Sequence, residues 1–72
     1  MRSLHSTRYR QFLKRLQEAR RKAGLTQVED ARTLHRPQSF VSKCESGERR
    51  VDVIELAEFA RLYRKPIAFF LR

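Results

Sequence analysis

The stretch that decides the fold of this chain is residues 24–50, which read GLTQVEDARTLHRPQSFVSKCESGERR. Thr26 and Glu29 form a capping box, in which each side chain can bond the backbone N–H of the other residue. This box predicts a helix that continues to about residue 34. A second helix is predicted over residues 38–45. The stretch therefore reads as two short helices joined by a tight turn.

Particular residues define the ends of the second helix and allow the two helices to cross closely. Pro37 suits the start of the second helix because it has no N–H to satisfy, and Gly47 closes that helix. Small Ala31 in the first helix lets the second helix, with Val41 on its inner side, cross close above it. The pattern predicts a helix-turn-helix, in which one helix supports the other at an angle.

Helices are also predicted on both sides of this stretch. Upstream, apolar residues recur at three- and four-residue steps over 7–23, and Gly24 ends that helix. Downstream, Asp52 and Glu55 form a second capping box. The following helix is predicted to bury Val53, Leu56, Ala57, Ala60 and either Leu62 or Tyr63. Pro66 then opens a last short helix over 67–71.

We therefore predict one all-α domain of five helices over residues 7–72, preceded by a flexible basic tail over residues 1–6. The 72 residues carry 17 Lys and Arg against 8 Asp and Glu, a formal net charge of +9. Such an excess in a small domain indicates a polyanionic partner, either a nucleic acid or an anionic membrane surface. A basic surface that serves only solubility is the simpler alternative.

At this point the chain strongly resembles the phage-repressor-like (lambda repressor, Cro and Xre type) helix-turn-helix family. The resemblance covers about residues 12–66. It is carried by Gly24-Leu25-Thr26-Gln27, Glu29, Ala31, Leu34, residues 37–43, residues 45–49, and Leu56, Ala57 and Ala60. It implies a five-helix lambda-repressor-like domain whose second motif helix enters the major groove of double-stranded DNA.

The resemblance also assigns roles by position. The base-reading residues would be Gln38, Ser39, Ser42 and Lys43. The residues that hold the phosphate backbone would be Gln27, Arg36, Phe40, Arg49 and Arg50. For Phe40 an alternative is that it closes the rim of the core. For the reading residues the alternative is an ordinary solvated helix face.

Two positions depart from the family pattern. Asp30 stands where an aliphatic residue is usual, and His35 stands where glycine usually makes the turn. Because a buried, unpaired carboxylate is costly, we expect Asp30 to reach solvent or to pair with a neighbouring Arg or Lys. We expect His35 to adopt a positive φ at some cost relative to glycine.

Other classes of function find little support in the sequence. No catalytic constellation or glycine-rich phosphate loop stands out, so an enzyme is not expected. His5, His35 and Cys44 lack the spacing of metal ligands, and no metal or cofactor is expected. Cys44 reads as a small buried hydrophobe, with a redox role as a remote alternative. With no signal peptide or membrane-spanning run apparent, a cytoplasmic protein is expected.

The C-terminal segment is rich in large apolar residues: Ile67, Phe69, Phe70 and Leu71. A domain of this size can use about two of these four in its own core. The surplus predicts a self-complementary patch and a two-fold homodimer. A monomer whose tail folds back completely is the alternative.

These observations together favour a small dimeric transcriptional regulator, with repression preferred, acting on a palindromic operator. One alternative keeps the fold and adds a partner protein: the antitoxin of a toxin–antitoxin pair, or the controller of a restriction–modification system. A second alternative is a protein-interaction module that has lost DNA binding. The basic segment from Arg36 to Arg50 argues against this last alternative.

Overall fold

The computed structural model describes residues 6–72, which form five α-helices joined by short turns. They are α1 (Thr7–Lys22), α2 (Gln27–Leu34), α3 (Gln38–Ser46), α4 (Val53–Tyr63) and α5 (Ile67–Leu71). No strand occurs within this part of the chain. The predicted all-α, five-helix, lambda-repressor-like architecture is confirmed.

Helix starts follow the predicted capping chemistry. The capping boxes of Thr26 with Glu29 and of Asp52 with Glu55 are both formed, at the starts of α2 and α4. Ser6 caps α1 by accepting a hydrogen bond from the Tyr9 N–H at 3.1 Å. The predicted tail otherwise falls on residues 1–5, which lie outside the described residues.

Three helices end in the same way, with two backbone bonds that close the last turn around a left-handed residue. After α2, His35 N–H donates to Arg32 C=O and Arg36 N–H donates to Ala31 C=O, the pattern of a Schellman cap. His35 has φ 57° there, so its predicted positive φ is confirmed. Gly24 and Arg64 occupy the equivalent positions after α1 and α4.

The core is aromatic, and every helix contributes to it. Fully buried Phe59 stacks on Phe40 at 6.2 Å and lies 5.9 Å from Tyr63. Phe70 of α5 is also fully buried and meets Phe12 of α1 edge-on at 6.4 Å. The C-terminal helix is thereby folded back onto the first helix.

The predicted buried face of α4 is partly wrong. Leu56, Ala60 and Tyr63 are buried as expected, but Val53 is 73% exposed and Ala57 faces solvent. Phe59, which the apolar pattern did not single out, takes the central place instead. More apolar residues occur on α4 than one helix face can bury.

The predicted four-residue patch at the C-terminus is also wrong in part. Phe69 and Phe70 are buried in the core of the same chain, so neither is exposed for an interface. Ile67 and Leu71 remain exposed, at 38% and 53%. Two of the four residues are therefore used internally, as expected for a domain of this size.

Asp30 is a further correction. Its side chain is fully buried rather than solvent-exposed, and its partner is neither Arg nor Lys. The Tyr63 hydroxyl donates a hydrogen bond to Oδ2 of Asp30, which links α2 to α4. Burial raises the pKa of the Asp30 carboxyl and also that of the Tyr63 phenol. The departure from the family pattern is thus accommodated by a tyrosine two helices away.

Candidate nucleic-acid interface

Helix α3 has two chemically distinct faces, one exposed to solvent and one buried in the core. Gln38, Ser39 and Lys43 are exposed on the outer face, and Ser42 is half-buried beside them. The Ser42 hydroxyl donates to the Ser39 carbonyl at 3.2 Å, which leaves its oxygen able to accept a hydrogen bond. The predicted base-reading residues therefore share one solvent-facing surface.

The inner face of α3 is locked into the core. Val41 and Cys44 are fully buried, and burial raises the pKa of the Cys44 thiol. Cys44 therefore behaves as the small buried hydrophobe that was expected. Because these residues fix the rotation of α3 about its own axis, the outer face points in one defined direction.

A buried carboxylate, Glu45, fixes the end of α3 to its neighbours. Arg20 of α1 donates from Nε to Glu45 Oε2 at 2.6 Å and from Nη2 to Oε1 at 3.2 Å. Gln17 donates to the Glu45 backbone carbonyl at 3.0 Å. Only 5% of the Glu45 side chain is exposed. These hydrogen bonds to the Glu45 carboxylate raise the pKa of the Arg20 guanidinium, which favours its charged form.

Gln27 belongs to the same cluster. Its side-chain amide donates to Glu45 Oε1 at 3.0 Å, and it is the first residue of α2. The amide is therefore aimed by Glu45, while the backbone N–H groups of the α2 N-terminus lie beside it. A helix N-terminus favours an anion, so this corner of the molecule can accept a phosphate. The importance of Glu45 was not foreseen from the sequence.

Phe40 lies in the core rather than on the surface. Only 9% of it is exposed, and its ring is nearly parallel to that of Phe59, at an interplanar angle of 5°. The expectation of an exposed aromatic that packs against the DNA backbone is wrong, and the alternative of a residue closing the core rim is what the structure shows. The physical reason is that the Phe40 ring extends from α3 towards α4 and packs against Phe59.

Two arginines predicted to hold DNA meet at the ring of Phe40. The guanidinium carbon of Arg36 lies 4.3 Å from the ring centroid, and that of Arg49 lies 4.8 Å from it. Both distances are within the range of a cation–π contact. Arg36 precedes α3 and Arg49 follows it, so the contact gathers both cations against α3.

A second carboxylate, Glu55, holds the same two arginines. Arg49 binds it through two hydrogen bonds of 2.7 Å, and Arg36 lies 3.8 Å away. The hydrogen bonds from Arg49 hold the pKa of Glu55 below its ordinary value. Glu55 also caps α4 by accepting from the Asp52 N–H at 3.0 Å. The sequence predicted this cap but not the arginine cluster.

Arg50 lies on an adjacent part of the surface. Its guanidinium carbon is 4.5 Å from the ring centroid of Tyr9 in α1. The Tyr9 hydroxyl in turn accepts a hydrogen bond from the Val51 N–H at 3.0 Å. The loop after α3 is therefore anchored to the first helix as well as to α4.

Two features are absent from the described residues. Within residues 6–72, no group of three His, Cys, Asp or Glu side chains could hold a metal ion. No helix in that part of the chain is long and apolar enough to cross a membrane. The geometry is that of a polar helix face flanked by arginines, with a helix N-terminus beside it.

The chain matches a known protein family over most of its length. A model described as a helix-turn-helix domain matches residues 11–67, which includes all of α2, α3 and α4. Comparisons with curated proteins and with solved structures return no match.

Proposed function

Since the chain belongs to the helix-turn-helix domain family, we propose that it is a transcriptional regulator that binds double-stranded DNA in a sequence-specific manner. In this arrangement α2 supports α3, and α3 enters the major groove. We further propose that it acts as a repressor and binds a palindromic operator as a homodimer.

The outer face of α3 is the observation that carries this proposal. Gln38 and Lys43 are exposed on a helix whose opposite side is fixed in the core. A glutamine amide can pair bidentately with adenine, and a lysine can donate to the O6 and N7 atoms of guanine. Ser39 and Ser42 can bond either base edge. A helix face that reads DNA sequence needs both polar side chains that are free to bond the bases and a helix that the core holds rigidly in place.

The flanking cations support backbone contact on either side of the reading face. Arg36 and Arg49 are held by Phe40 and Glu55, so little conformational freedom is lost when they meet a phosphate. One carboxylate neutralises part of their charge, and the cluster keeps a net positive charge. Gln27 and Arg50 complete the proposed set of backbone contacts.

The test is binding to DNA selected from a random library, measured by fluorescence anisotropy over a salt series. We expect Gln38→Ala and Lys43→Ala each to lower the ratio of specific to non-specific affinity about 5- to 100-fold. The matched control is Lys14→Ala on α1, which removes the same charge from an exposed site. It should lower both affinities slightly and leave their ratio unchanged.

Two outcomes would contradict the proposal. One is the absence of any binding at low salt, where electrostatic attraction is strongest. The other is a specificity ratio that Gln38→Ala and Lys43→Ala leave unchanged, with Lys43→Ala lowering both affinities only as much as Lys14→Ala does. In that case the binding would reflect only the net charge of +9. Repression is tested separately, with a reporter gene behind the selected operator.

A further inference from the structure

Helix α4 leaves two large apolar side chains in solvent. Val53 and Ile54 are 73% and 66% exposed, the highest values among the large apolar residues of the described chain. Both lie in the first turn of α4, and Ala57 is exposed one turn further along the same side. Adjacent apolar side chains at such exposure are typical of an interaction surface.

The same side of α4 also carries a groove. It lies between α4 and the end of α2, and its lining residues include Leu34, Arg61 and Leu62. Ile54 and Ala57 line the same groove. One surface therefore presents both a protruding apolar side chain and an apolar depression that could receive one.

The charges on this surface are of both signs. Glu58 is the acidic residue among the groove residues, and Arg61 lies one turn away on the same side of α4, while Arg64 lines the groove just beyond the end of that helix. Both side chains are exposed, and neither has an ion-pair partner within residues 6–72. An unpaired acid and an unpaired base on one surface complement a second copy of that surface.

We propose that two copies of this chain pair through α4, with the two helices antiparallel about a two-fold axis that passes between Ala57 and Glu58. Positions equally far from the axis then face each other. Ile54 of one copy lies opposite Arg61 of the second copy and enters the groove beside Leu34 and Leu62. Glu58 of each copy comes within side-chain reach of Arg61 of the second copy.

Three features identify the occupant as a second copy. Each surface supplies the apolar knob and the groove that the other needs, as a two-fold interface requires. The unpaired charges complement each other under the same symmetry. Ala57 beside the axis is small, so the two helix backbones can approach closely.

The dimensions are compatible with a pair that acts on DNA, a point that rests on the proposed function. The domain measures 36 × 25 × 20 Å, so the centres of two adjacent copies lie about 20 to 36 Å apart, depending on the direction in which they pair. Successive major grooves on one side of a duplex lie about 34 Å apart. The groove residues include none of the proposed reading residues, so pairing leaves α3 of both copies accessible.

The first experiment measures self-association without DNA, by sedimentation velocity in about 0.15 M salt, where the Debye length of about 8 Å limits the mutual repulsion of the +9 chains. Ile54→Lys is expected to raise the dimer dissociation constant at least about tenfold. Leu71→Lys is the control. It changes another exposed apolar residue, on α5, which is 53% exposed against 66% for Ile54, and should leave dimerisation unchanged.

Circular dichroism of both variants verifies that the fold is retained, which is expected because both side chains are exposed. The proposal is overturned if the wild-type chain remains monomeric, or if Leu71→Lys disrupts the dimer and Ile54→Lys does not. The sedimentation experiment contains no DNA and therefore tests dimerisation alone. A chain that dimerises but does not bind DNA in the anisotropy experiment would contradict the proposed function and leave the proposed pairing intact.

The second experiment is a charge exchange. Glu58→Lys and Arg61→Glu each place like charges opposite one another in a homodimer. A mixture of the two variants restores both ion pairs, and its heterodimer should associate at least about tenfold more tightly than either variant alone. The control mixture is Glu48→Lys with Arg32→Glu. These exposed positions lie outside the groove and give the same net charges.

The control mixture should associate with a strength between those of its two components. A contact between α4 helices predicts a preference for the heterodimer only in the first mixture. Equal behaviour of the two mixtures would show that net charge alone governs association, and the proposed pairing would then be wrong. A partner protein on this surface would likewise give no such preference.

Discussion

The Tyr63 hydroxyl donates a hydrogen bond to the carboxylate of Asp30, across the junction between α2 and α4. Asp30 is fully buried, and its second oxygen, Oδ1, accepts no hydrogen bond within residues 6–72. The bond attaches the supporting helix of the helix-turn-helix to the helix proposed to pair with a second copy. Several consequences of this bond can be measured.

Removal of the Tyr63 hydroxyl should destabilise the domain. Tyr63→Phe leaves Asp30 buried without its donor, which is expected to cost about 1–3 kcal/mol in the free energy of unfolding. The double variant Asp30→Leu with Tyr63→Phe removes both polar partners and should regain the loss or exceed wild type. Urea denaturation measures both. A double variant less stable than Tyr63→Phe would contradict this account.

The Asp30 carboxyl should also make stability depend on pH. Burial raises its pKa above the ordinary value of 3.8, so the folded state binds this proton more tightly than the unfolded state. Stability contributed at this site is therefore lost as pH rises from 3.8 through the raised value. Asp30→Asn abolishes that loss. Its stability relative to wild type should increase with pH across this interval and stay constant above it.

Glu55 should show the opposite dependence. Hydrogen bonds from Arg49 lower its pKa, so its contribution is present above the ordinary value of 4.5 and is lost as pH falls through the lowered value. Glu55→Gln should cost about 1 kcal/mol at neutral pH, because Arg49 is partly exposed to solvent. The cost should disappear in acid. A pH series of thermal melts compares Glu55→Gln with Asp30→Asn, and slopes of the same sign would refute both assignments.

The buried pair between Arg20 and Glu45 should be the most sensitive polar contact. Arg20→Leu leaves the Glu45 carboxylate buried without its main partner, and a loss of about 3–5 kcal/mol is expected. Arg21→Leu is the matched control at the next position, where the side chain is exposed, and it should change stability by about 0.5 kcal/mol or less. If the two variants unfold at similar denaturant concentrations, Glu45 does not hold α1 and α3 together.

Helix boundaries were predicted well because their signals are local. Capping boxes at Thr26 and Asp52 involve residues three apart, and a positive φ at His35 follows from its place after a helix. The exposure of Gln38 and Lys43 also follows from helical periodicity. Such features depend on neighbours in sequence, which a single chain displays directly.

Contacts between helices could not be predicted in the same way. Glu55 binding to Arg49, and Tyr63 binding to Asp30, depend on how α3 and α4 are placed relative to each other and to α2. The burial of Phe59 instead of Val53 has a similar origin. Apolar residues cover so much of α4 that only the positions of its neighbours select the buried side.

Phe40 gives the domain a property that neither its core nor its surface has alone. One ring packs on Phe59 in the centre of the domain and also lies beneath the guanidinium groups of Arg36 and Arg49. A substitution at Phe59 that shifts this ring displaces both cations as well. Substitutions of Phe59 that are selected only for higher thermal stability will therefore also change the affinity for the proposed DNA ligand. Thermal stability and DNA affinity consequently cannot evolve independently at this position.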